Sequence, residues 1–250
     1  MFRVSNGVRQ GGVLSPCLFN TYVEELSKRL KSLKSIGCEL NNILINHFIY
    51  ADDTVLIAPS PYALQQLINC CSEFAADFDF IYNTKKTKIL VHRPDNLKFI
   101  YVPYFILNNS IIPITKCQKY LGYLMTNDLH DDVNIYKQVS SLYSRGNVLI
   151  RQFSHCSSEV KAHLFKTYCS NLYCSQLWSV YKASSMNKIK TAYENIYRYL
   201  FNLGWEACIP LHMAMNNVDA FEVLIRKNIL SFRKRVLQSD NVLVNTIAKR

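Results

Sequence analysis

The 250-residue sequence lacks the cysteine patterns that form a disulfide framework or a structural zinc site. Its nine cysteines are an odd number and lie scattered along the chain, with no Cys-x-x-Cys pair and no histidines at zinc-finger spacing. We therefore expect reduced, mostly buried thiols in an intracellular protein, and no zinc. A redox role for the adjacent Cys70 and Cys71 is disfavoured, because neighbouring residues of a helix point to different faces.

A long uninterrupted apolar run is also absent. The N-terminus has no signal-peptide core, and the longest apolar region, 43–58, is interrupted by Asn46, His47, Asp52 and Asp53. The sequence therefore predicts no membrane partner and no secretion, and we expect the protein in the cytoplasm and nucleus.

Acidic residues are few compared with basic ones. The chain has 18 Asp and Glu against 29 Lys and Arg, a formal net charge of +11. A basic surface favours a polyanionic partner such as nucleic acid, although a membrane-surface or ribosomal protein would have a similar balance. Since 49% of the residues are apolar, the chain is long and apolar enough to bury a core. The composition does not indicate an oligomeric state.

Two adjacent acidic residues lie between two short apolar runs. The β-branched and aromatic residues of 45–50 and 55–58 predict strands, so that Ala51, Asp52 and Asp53 form the tip of a hairpin. Adjacent carboxylates on a turn repel one another, and a bound divalent cation offsets this repulsion. The pattern predicts a metal site for phosphoryl transfer, while an ordinary surface turn is the alternative.

The rest of the chain predicts an α+β fold. Residues 5–13 predict a glycine-rich loop, and Ser15-Pro16 and Ser60-Pro61 each predict a helix start. Residues 99–126 predict a small antiparallel sheet with a turn at Asn108-Asn109. Apolar residues three or four apart predict further helices at 131–151, 157–181, 186–203 and 219–237, with caps at Ser157 and at Ser184-Ser185.

Four segments carry a resemblance to a known family. In this order and spacing they resemble the second to fifth motifs of the reverse transcriptase palm, most closely in non-LTR (LINE-like) retrotransposons of the Jockey and CR1 kind. They are Gly7–Pro16, Phe48–Ile57, Asn83–Thr87 and Lys119–Gly122. The resemblance implies a partial palm at 1–126, thumb-like helices at 127–182 and a C-terminal helical region at 183–250. Residues 164–178 also resemble the segment that follows the polymerase domain in those elements.

The resemblance also implies a metal site and its surroundings. Asp52 is then the principal ligand of Mg²⁺ or Mn²⁺, Asp53 assists, and Tyr50 lies near the primer terminus. Lys86 is the cation or proton donor beside the leaving pyrophosphate, although Lys85, Lys86 and Lys88 could equally be a solvated run.

Further residues are implied to contact template, nucleotide and primer. Gln10 and Gly11 match the motif residues under the templating base and beside the incoming deoxynucleotide, and Arg9 is then a backbone contact. The segment Tyr120, Leu121 and Gly122 resembles the hairpin that grips the DNA primer. Gly122 would allow a sugar-phosphate backbone to approach closely, while an ordinary β-bulge is the alternative.

The function implied is RNA-templated addition of deoxynucleotides to a DNA 3′ end by two-metal phosphoryl transfer. In the family, one bridging carboxylate belongs to a motif before Gly7. We therefore expect a C-terminal fragment without the fingers and the first palm motif, inactive by itself. The alternative is a catalytically dead nucleic-acid-binding remnant. A group II intron maturase or a telomerase-like polymerase is a third possibility, against which segment 164–178 weighs.

Basic and aromatic residues continue through the C-terminal half. Tyrosines and lysines interleave between 168 and 198, a pattern that suits either stacking on single strands or the edge of a core. Arg226-Lys227 and Arg233-Lys234-Arg235 form a compact basic end, which suggests a phosphate or RNA contact or a nuclear import signal.

Overall fold

The computed structural model describes residues 11–79, 81–92 and 101–248. The chain divides into two compact units, one of Met1–Ile89 with Pro94–Thr115 and the other of Leu90–Arg93 with Lys116–Arg250. Helices and small antiparallel strand pairs occur together, as the α+β prediction requires. The predicted three-part division at 126 and 182 stays a prediction. No helix within the described ranges is long and apolar enough to cross a membrane.

The first unit combines two helices with short strands. Helix α1 spans Ser15–Ser32 and helix α2 spans Pro61–Asp77. The strands are β1 (Cys38–Leu40), β2 (Ile43–Ile45), β3 (His47–Tyr50), β4 (Asp53–Leu56), β5 (Ile89–Leu90, ending just past the unit), β6 (Phe105–Leu107), β7 (Ser110–Ile112) and β8 (Ile114–Thr115).

The strands form two-stranded pairs. Strands β1 and β2, β3 and β4, and β6 and β7 are antiparallel hairpins. The turn at Asn108-Asn109 is confirmed, with φ of 46° and 58°. The prediction of one small sheet over 99–126 is wrong. Pro113 has no amide proton to continue β7, and its carbonyl instead accepts a hydrogen bond from the Ile89 amide.

Helices α1 and α2 pack against each other around an apolar cluster. Leu26 and Leu30 of α1 meet Leu67 and Phe74 of α2, and all four are at most 1% exposed. The predicted start of α2 is confirmed, because the Ser60 hydroxyl accepts a hydrogen bond from the Ala63 amide. The predicted cap of α1 at Ser15 is wrong, since the residue before the first turn is Leu14 and no side chain caps this end.

The second unit begins with a hairpin and continues as helices. Its elements are β9 (Cys117–Tyr120), β10 (Tyr123–Thr126), α3 (Asp132–Phe153), α4 (Ser158–Cys169), a 3₁₀ helix (Ser175–Leu177), α5 (Ala183–Phe201), α6 (Ile209–Met215), α7 (Phe221–Leu237) and α8 (Val242–Ala248). The cap at Ser157 is confirmed by its hydrogen bond from Val160.

Two predictions about these helices are wrong. The helix predicted over 157–181 ends at Cys169, and Cys174 has a φ of 59°, which a right-handed helix does not permit. The cap predicted at Ser184-Ser185 lies inside α5, which begins at Ala183. The side chain of Ser185 is instead buried and donates to the Tyr136 hydroxyl.

The core of the second unit lies between α3, α4 and α5. The ring of Phe165 lies 4.9 Å from that of Tyr193 and 5.1 Å from that of Tyr197, and all three side chains are fully buried. Gly146 lets α3 approach α5 closely, since a Cβ there would lie 2.5 Å from Ile196. Tyr193 and Tyr197 are therefore core residues and do not stack on bases.

The thiols are more accessible than predicted. None of the nine cysteines, all of which lie in the described ranges, forms a disulfide. Only Cys71 and Cys169 are buried, while Cys17 and Cys208 are exposed and the other five are intermediate in exposure. The prediction of mostly buried thiols is therefore wrong. Burial raises the pKa of Cys71 to about 12 and that of Cys169 to about 11, because the thiolate loses its hydration.

Candidate functional site

The two acidic residues lie at the tip of the β3–β4 hairpin, as predicted. Tyr50 pairs directly with Asp53, and the turn between them consists of Ala51 and Asp52. Residues directly opposite one another in an antiparallel pair point to the same face, so the side chains of Tyr50 and Asp53 share a face. Ala51 has a φ of 51°, a left-handed conformation that costs a residue with a Cβ roughly 1–2 kcal/mol.

The opposite face of this hairpin packs on the helices. Ile49 and Leu56 contact the cluster between α1 and α2, and the His47 Nε2 atom lies 2.8 Å from the Ser27 hydroxyl. The face that carries Tyr50 is turned outward, and this tyrosine is 64% exposed. The alternation of the strand therefore fixes the hairpin through one face and leaves the other open to a ligand.

A buried asparagine fixes the base of the hairpin. The Asn46 side chain is 3% exposed and donates hydrogen bonds to the carbonyls of Leu30 at 2.7 Å and Ile36 at 3.0 Å. Its backbone carbonyl accepts from the Ile57 amide. Burial lowers the pKa of the neighbouring His47, with a smaller effect from Lys31. The sequence analysis noted Asn46 only as an interruption of an apolar run and assigned it no role, although a polar residue in such a run is a usable signal.

The carboxylates of Asp52 and Asp53 are exposed. Within the part of the chain that the structure describes, neither forms a hydrogen bond or an ion pair, and no group of three or more Asp, Glu, His or Cys side chains could hold a metal ion. Free carboxylate oxygens are the ligands that Mg²⁺ and Mn²⁺ prefer, and such sites are commonly completed by substrate phosphates and water. The donors present therefore fit part of a magnesium or manganese site.

Lys86 lies on an ordered turn of the first unit. The Asn83 side chain accepts a hydrogen bond from the Lys86 amide at 3.2 Å, and the Thr87 hydroxyl donates to the Asn83 carbonyl at 3.0 Å. The Asn and Thr of the predicted motif therefore hold this turn, and the Lys86 side chain is exposed. No side-chain hydrogen bond or salt bridge joins Lys86 to Asp52 or Asp53 among the described residues.

The glycine-rich loop is described only in part. Arg9 and Gln10 lie outside the described residues, so their predicted contacts remain predictions. Gly11 has a φ of 77°, and a Cβ placed on it would meet no atom within 4 Å. The positive φ explains why glycine occupies this position, and the open space around it leaves room for a ligand.

The predicted Tyr120–Gly122 hairpin is present as β9 and β10. Tyr120 pairs with Tyr123, and Leu121 and Gly122 form the turn with φ of 45° and 83°. The turn has two residues and is not a β-bulge, so the bulge alternative is wrong. A Cβ on Gly122 would lie 3.1–3.3 Å from the Tyr173 ring, so the space beside this glycine is filled by a side chain of the same unit.

Both carbonyls of this turn accept hydrogen bonds from the helical region. The Tyr173 hydroxyl donates to the Leu121 carbonyl at 2.5 Å, and the Lys137 ammonium donates to the Gly122 carbonyl at 2.7 Å. Tyr173 and Lys137 are 52 and 15 positions away from their partners. Sequence reasoning considered Tyr173 only as one of a tyrosine series and did not identify Lys137.

Asp131 is a buried carboxylate that joins three segments of the second unit. It accepts a hydrogen bond from the Tyr123 hydroxyl of β10 and further bonds from the amides of Ser179 at 2.7 Å and Val180 at 2.9 Å. Desolvation, with help from this carboxylate, raises the pKa of Tyr123. Asp131 therefore holds the hairpin against the start of α3 and the segment after the 3₁₀ helix.

Comparison with known proteins identifies the class to which these features belong. Residues 2–125, about half of the chain, match the family of reverse transcriptases (RNA-dependent DNA polymerases). The chain belongs to this family, and the matched residues include the acidic hairpin, the Lys86 turn and the β9–β10 turn.

A known relative narrows the kind of reverse transcriptase that the chain resembles. Over 85 residues, or 34% of the chain, the sequence is 35% identical to the retrovirus-related Pol polyprotein from a type-2 retrotransposable element of Drosophila melanogaster. The predicted resemblance to a non-LTR retrotransposon reverse transcriptase is thereby confirmed. The match covers 8% of that polyprotein. The finer likeness to Jockey and CR1 elements stays a prediction.

Proposed function

We propose that this chain supplies the acidic hairpin of a site that adds deoxynucleotides to a DNA 3′ end on an RNA template. The observation that carries the proposal is the geometry of β3–β4. One face packs on α1 and α2, while Tyr50 and Asp53 share the exposed face next to Asp52. A rigid support behind an exposed acidic tip is what catalysis by positioned groups requires.

In this proposal each residue has a role that follows from its position. Asp52 and Asp53 hold Mg²⁺ or Mn²⁺, with Asp52 the principal ligand. The bound metal would favour the ionised 3′ hydroxyl and neutralise charge on the phosphates. Tyr50 offers an exposed ring beside the primer terminus. Lys86 offers a positive charge and a proton to the departing pyrophosphate from its capped turn.

The β9–β10 turn is the proposed primer contact. Its two carbonyls are occupied by Tyr173 and Lys137. In a trans peptide the N–H points opposite to the carbonyl, so the Gly122 amide, which shares a peptide with the Leu121 carbonyl, points away from Tyr173. An outward N–H of this kind is a suitable donor to a phosphodiester of the primer.

We further propose that these 250 residues by themselves do not catalyse nucleotide addition. Two-metal transfer uses carboxylates from separate strands to bridge the cations. Among the described residues no third Asp, Glu, His or Cys joins Asp52 and Asp53. A single cation held by two adjacent carboxylates supports little catalysis, since losing one member of a catalytic set usually removes most of the rate.

The test combines a metal titration with primer extension. Mn²⁺ bound to the chain with an RNA–DNA primer-template is measured by electron paramagnetic resonance. We expect Asp52→Asn to weaken Mn²⁺ binding markedly. Asp79→Asn is the matched control, because Asp79 is exposed in the same unit and its φ of 52° is well tolerated by Asn. Primer extension abolished by Asp52→Asn would show that the chain does turn over. Equal Mn²⁺ binding by wild type and Asp52→Asn would refute the metal site.

The net charge of +11 favours a second candidate, a nucleic-acid-binding remnant without a functional metal site. This candidate predicts primer-template binding that weakens with salt and is unchanged by Asp52→Asn. It also predicts that Mn²⁺ makes no difference to the affinity. The same two variants therefore separate the candidates when the affinity is measured with and without Mn²⁺.

A further inference from the structure

Helix α7 has an exposed apolar stripe on the face opposite its core contacts. Phe221 and Leu224 are buried, whereas Val223, Leu230 and Leu237 are 41%, 64% and 56% exposed. The three exposed residues are seven positions apart. At 100° per residue they fall within about 40° of one another, so they form a narrow seam along the helix. We call this seam the α7 stripe.

Cations border the α7 stripe on both sides. By the same helical geometry, Arg226 and Arg233 lie on one side, and Lys227 and Lys234 on the other. Lys227 forms an ion pair with Asp219 at 2.6 Å. In the portion of the chain that the structure describes, Arg226, Arg233 and Lys234 have no salt bridge. The face is therefore apolar along its centre and positively charged at its edges.

An apolar groove adjoins the C-terminal end of the stripe. An open groove of about 190 Å³ lies between helices α7 and α8. Its lining includes Leu237 of the stripe and the bordering Arg233, together with Ile229, Val236 and Ala248. The apolar surface thus extends sideways from the seam, which gives a second helix more area to cover than three side chains alone.

We propose that the α7 stripe docks an amphipathic helix with a leucine seam and acidic edges, supplied by a partner protein. A seven-residue apolar repeat is the spacing by which helices pair side by side, and bordering charges select the partner. A second copy of α7 would bring cations against cations, so charge complementarity requires acidic edges. Nucleic acid would neutralise the cations but would leave the central leucines without a matching apolar surface.

The test uses synthetic helical peptides and the full 250-residue chain. The probe is a fluorescent peptide with a leucine at every seventh position and glutamates beside each leucine. A second peptide has lysines in place of the glutamates, and a short single-stranded RNA is the third probe. Affinities are measured by fluorescence anisotropy. We expect the acidic peptide to bind and the lysine peptide not to bind.

Two variants locate the binding site. Leu230→Ser should weaken binding of the acidic peptide about tenfold or more, because it removes the central apolar contact. The double variant Arg226→Glu with Arg233→Glu should prefer the lysine peptide. The matched control is Leu211→Ser, which changes a leucine of similar exposure, 62%, on α6 and should have no effect.

Three outcomes would overturn the proposal. One is that the acidic peptide does not bind, and another is that Leu230→Ser binds as well as the wild type. The third is that the chain binds RNA, and that this binding is abolished by the double variant Arg226→Glu with Arg233→Glu but not by Leu230→Ser. That result would make the face a nucleic-acid surface. Because Leu230 is already 64% exposed, its replacement should leave the fold intact, and circular dichroism checks this.

Discussion

Replacing Asp131 tests whether one buried carboxylate holds the β9–β10 hairpin to the helices. Asp131→Ala removes the acceptor of the Tyr123 hydroxyl and of the Ser179 and Val180 amides. The hairpin then keeps its strand pairing and its contacts with Asn134, whose side chain exchanges two hydrogen bonds with the backbone of Leu124. We therefore expect a loosened hairpin and a destabilised but still folded second unit.

The magnitude follows from the number and kind of bonds. A hydrogen bond to a charged group contributes roughly 1.5–3 kcal/mol net to stability. Ser179 and Val180 are exposed residues, so water replaces part of what their amides lose. We expect Asp131→Ala to lower the free energy of unfolding by about 2–4 kcal/mol. Asp131→Asn should cost only about 1 kcal/mol, because the carboxamide oxygen can serve the two amides while its NH₂ donates to the Tyr123 oxygen.

Tryptophan fluorescence reports on the unit that contains this carboxylate. The chain has two tryptophans, Trp178 and Trp205, and both lie in the second unit. Trp178 is 6% exposed and precedes the two amides that Asp131 binds, whereas Trp205 is 77% exposed. In a Trp205→Phe background, urea unfolding followed by Trp178 emission therefore measures the stability of this unit without a signal from the first.

The matched control is Asp240→Asn, which removes an exposed carboxylate from the same unit. Exposed substitutions away from such contacts usually change stability by about 0.5 kcal/mol or less. If Asp131→Ala unfolds at the same urea concentration as Asp240→Asn, the carboxylate does not hold the hairpin and the reasoning fails. Equal losses for Asp131→Ala and Asp131→Asn would show that the effect is one of charge alone.

Further predictions concern other parts of the fold. The native state favours the neutral form of His47, because burial lowers the pKa of this side chain. Its contribution to the free energy of unfolding is therefore complete above pH 6.5 and declines as the pH falls from 6.5 towards the lowered pKa. Calorimetry should show a flatter decline in Tm between pH 7.5 and 5 for His47→Gln, and an unchanged slope would contradict this. Gly122→Ala should cost about 1–2 kcal/mol in urea unfolding because of its positive φ and the nearby Tyr173 ring. An unchanged free energy of unfolding would mean that Tyr173 does not hold this turn. At pH 8, iodoacetamide should label exposed Cys17 well before buried Cys71, as read by mass spectrometry, and comparable labelling rates would refute the burial.

Local patterns predicted the exposed parts of the site well. The acidic tip follows from two β-prone runs around an Asp-Asp pair, and it lies within one residue of its predicted place. The α2 start follows from Ser60-Pro61, and the Asn108-Asn109 turn follows from two residues that tolerate positive φ. In each case the signal and the structure lie within a few residues of one another. The Asp-Asp pair by itself predicted a metal site, whereas the choice of Asp52 as principal ligand and the role of Lys86 came from the family resemblance.

Other features depend on contacts that no local pattern records. The prediction of one sheet over 99–126 failed because the acceptor of the Ile89 amide is the Pro113 carbonyl, 24 positions away. The helix predicted over 157–181 failed because its apolar spacing continues past Cys169, although the chain there turns into a loop and a 3₁₀ helix. The spacing of apolar residues alone cannot distinguish a continuing helix from a buried loop, since a buried loop residue such as Leu172 is as apolar as a helical one.

The same reasoning explains which site residues were missed. Asn46, Tyr173 and Asp131 all act by binding backbone groups that are 10 to 52 positions away in the chain. A side chain of this kind needs only a polar atom in the right place, so it produces no periodic pattern in the sequence. The residues proposed to contact metal and primer lie on exposed turns, where short motifs are informative. Of the residues that hold those turns, Asn46 and Asp131 are buried, whereas Tyr173 is about half exposed. A substitution at Asn46 or Asp131 should therefore disturb the position of a turn without touching any group that is proposed to contact nucleic acid.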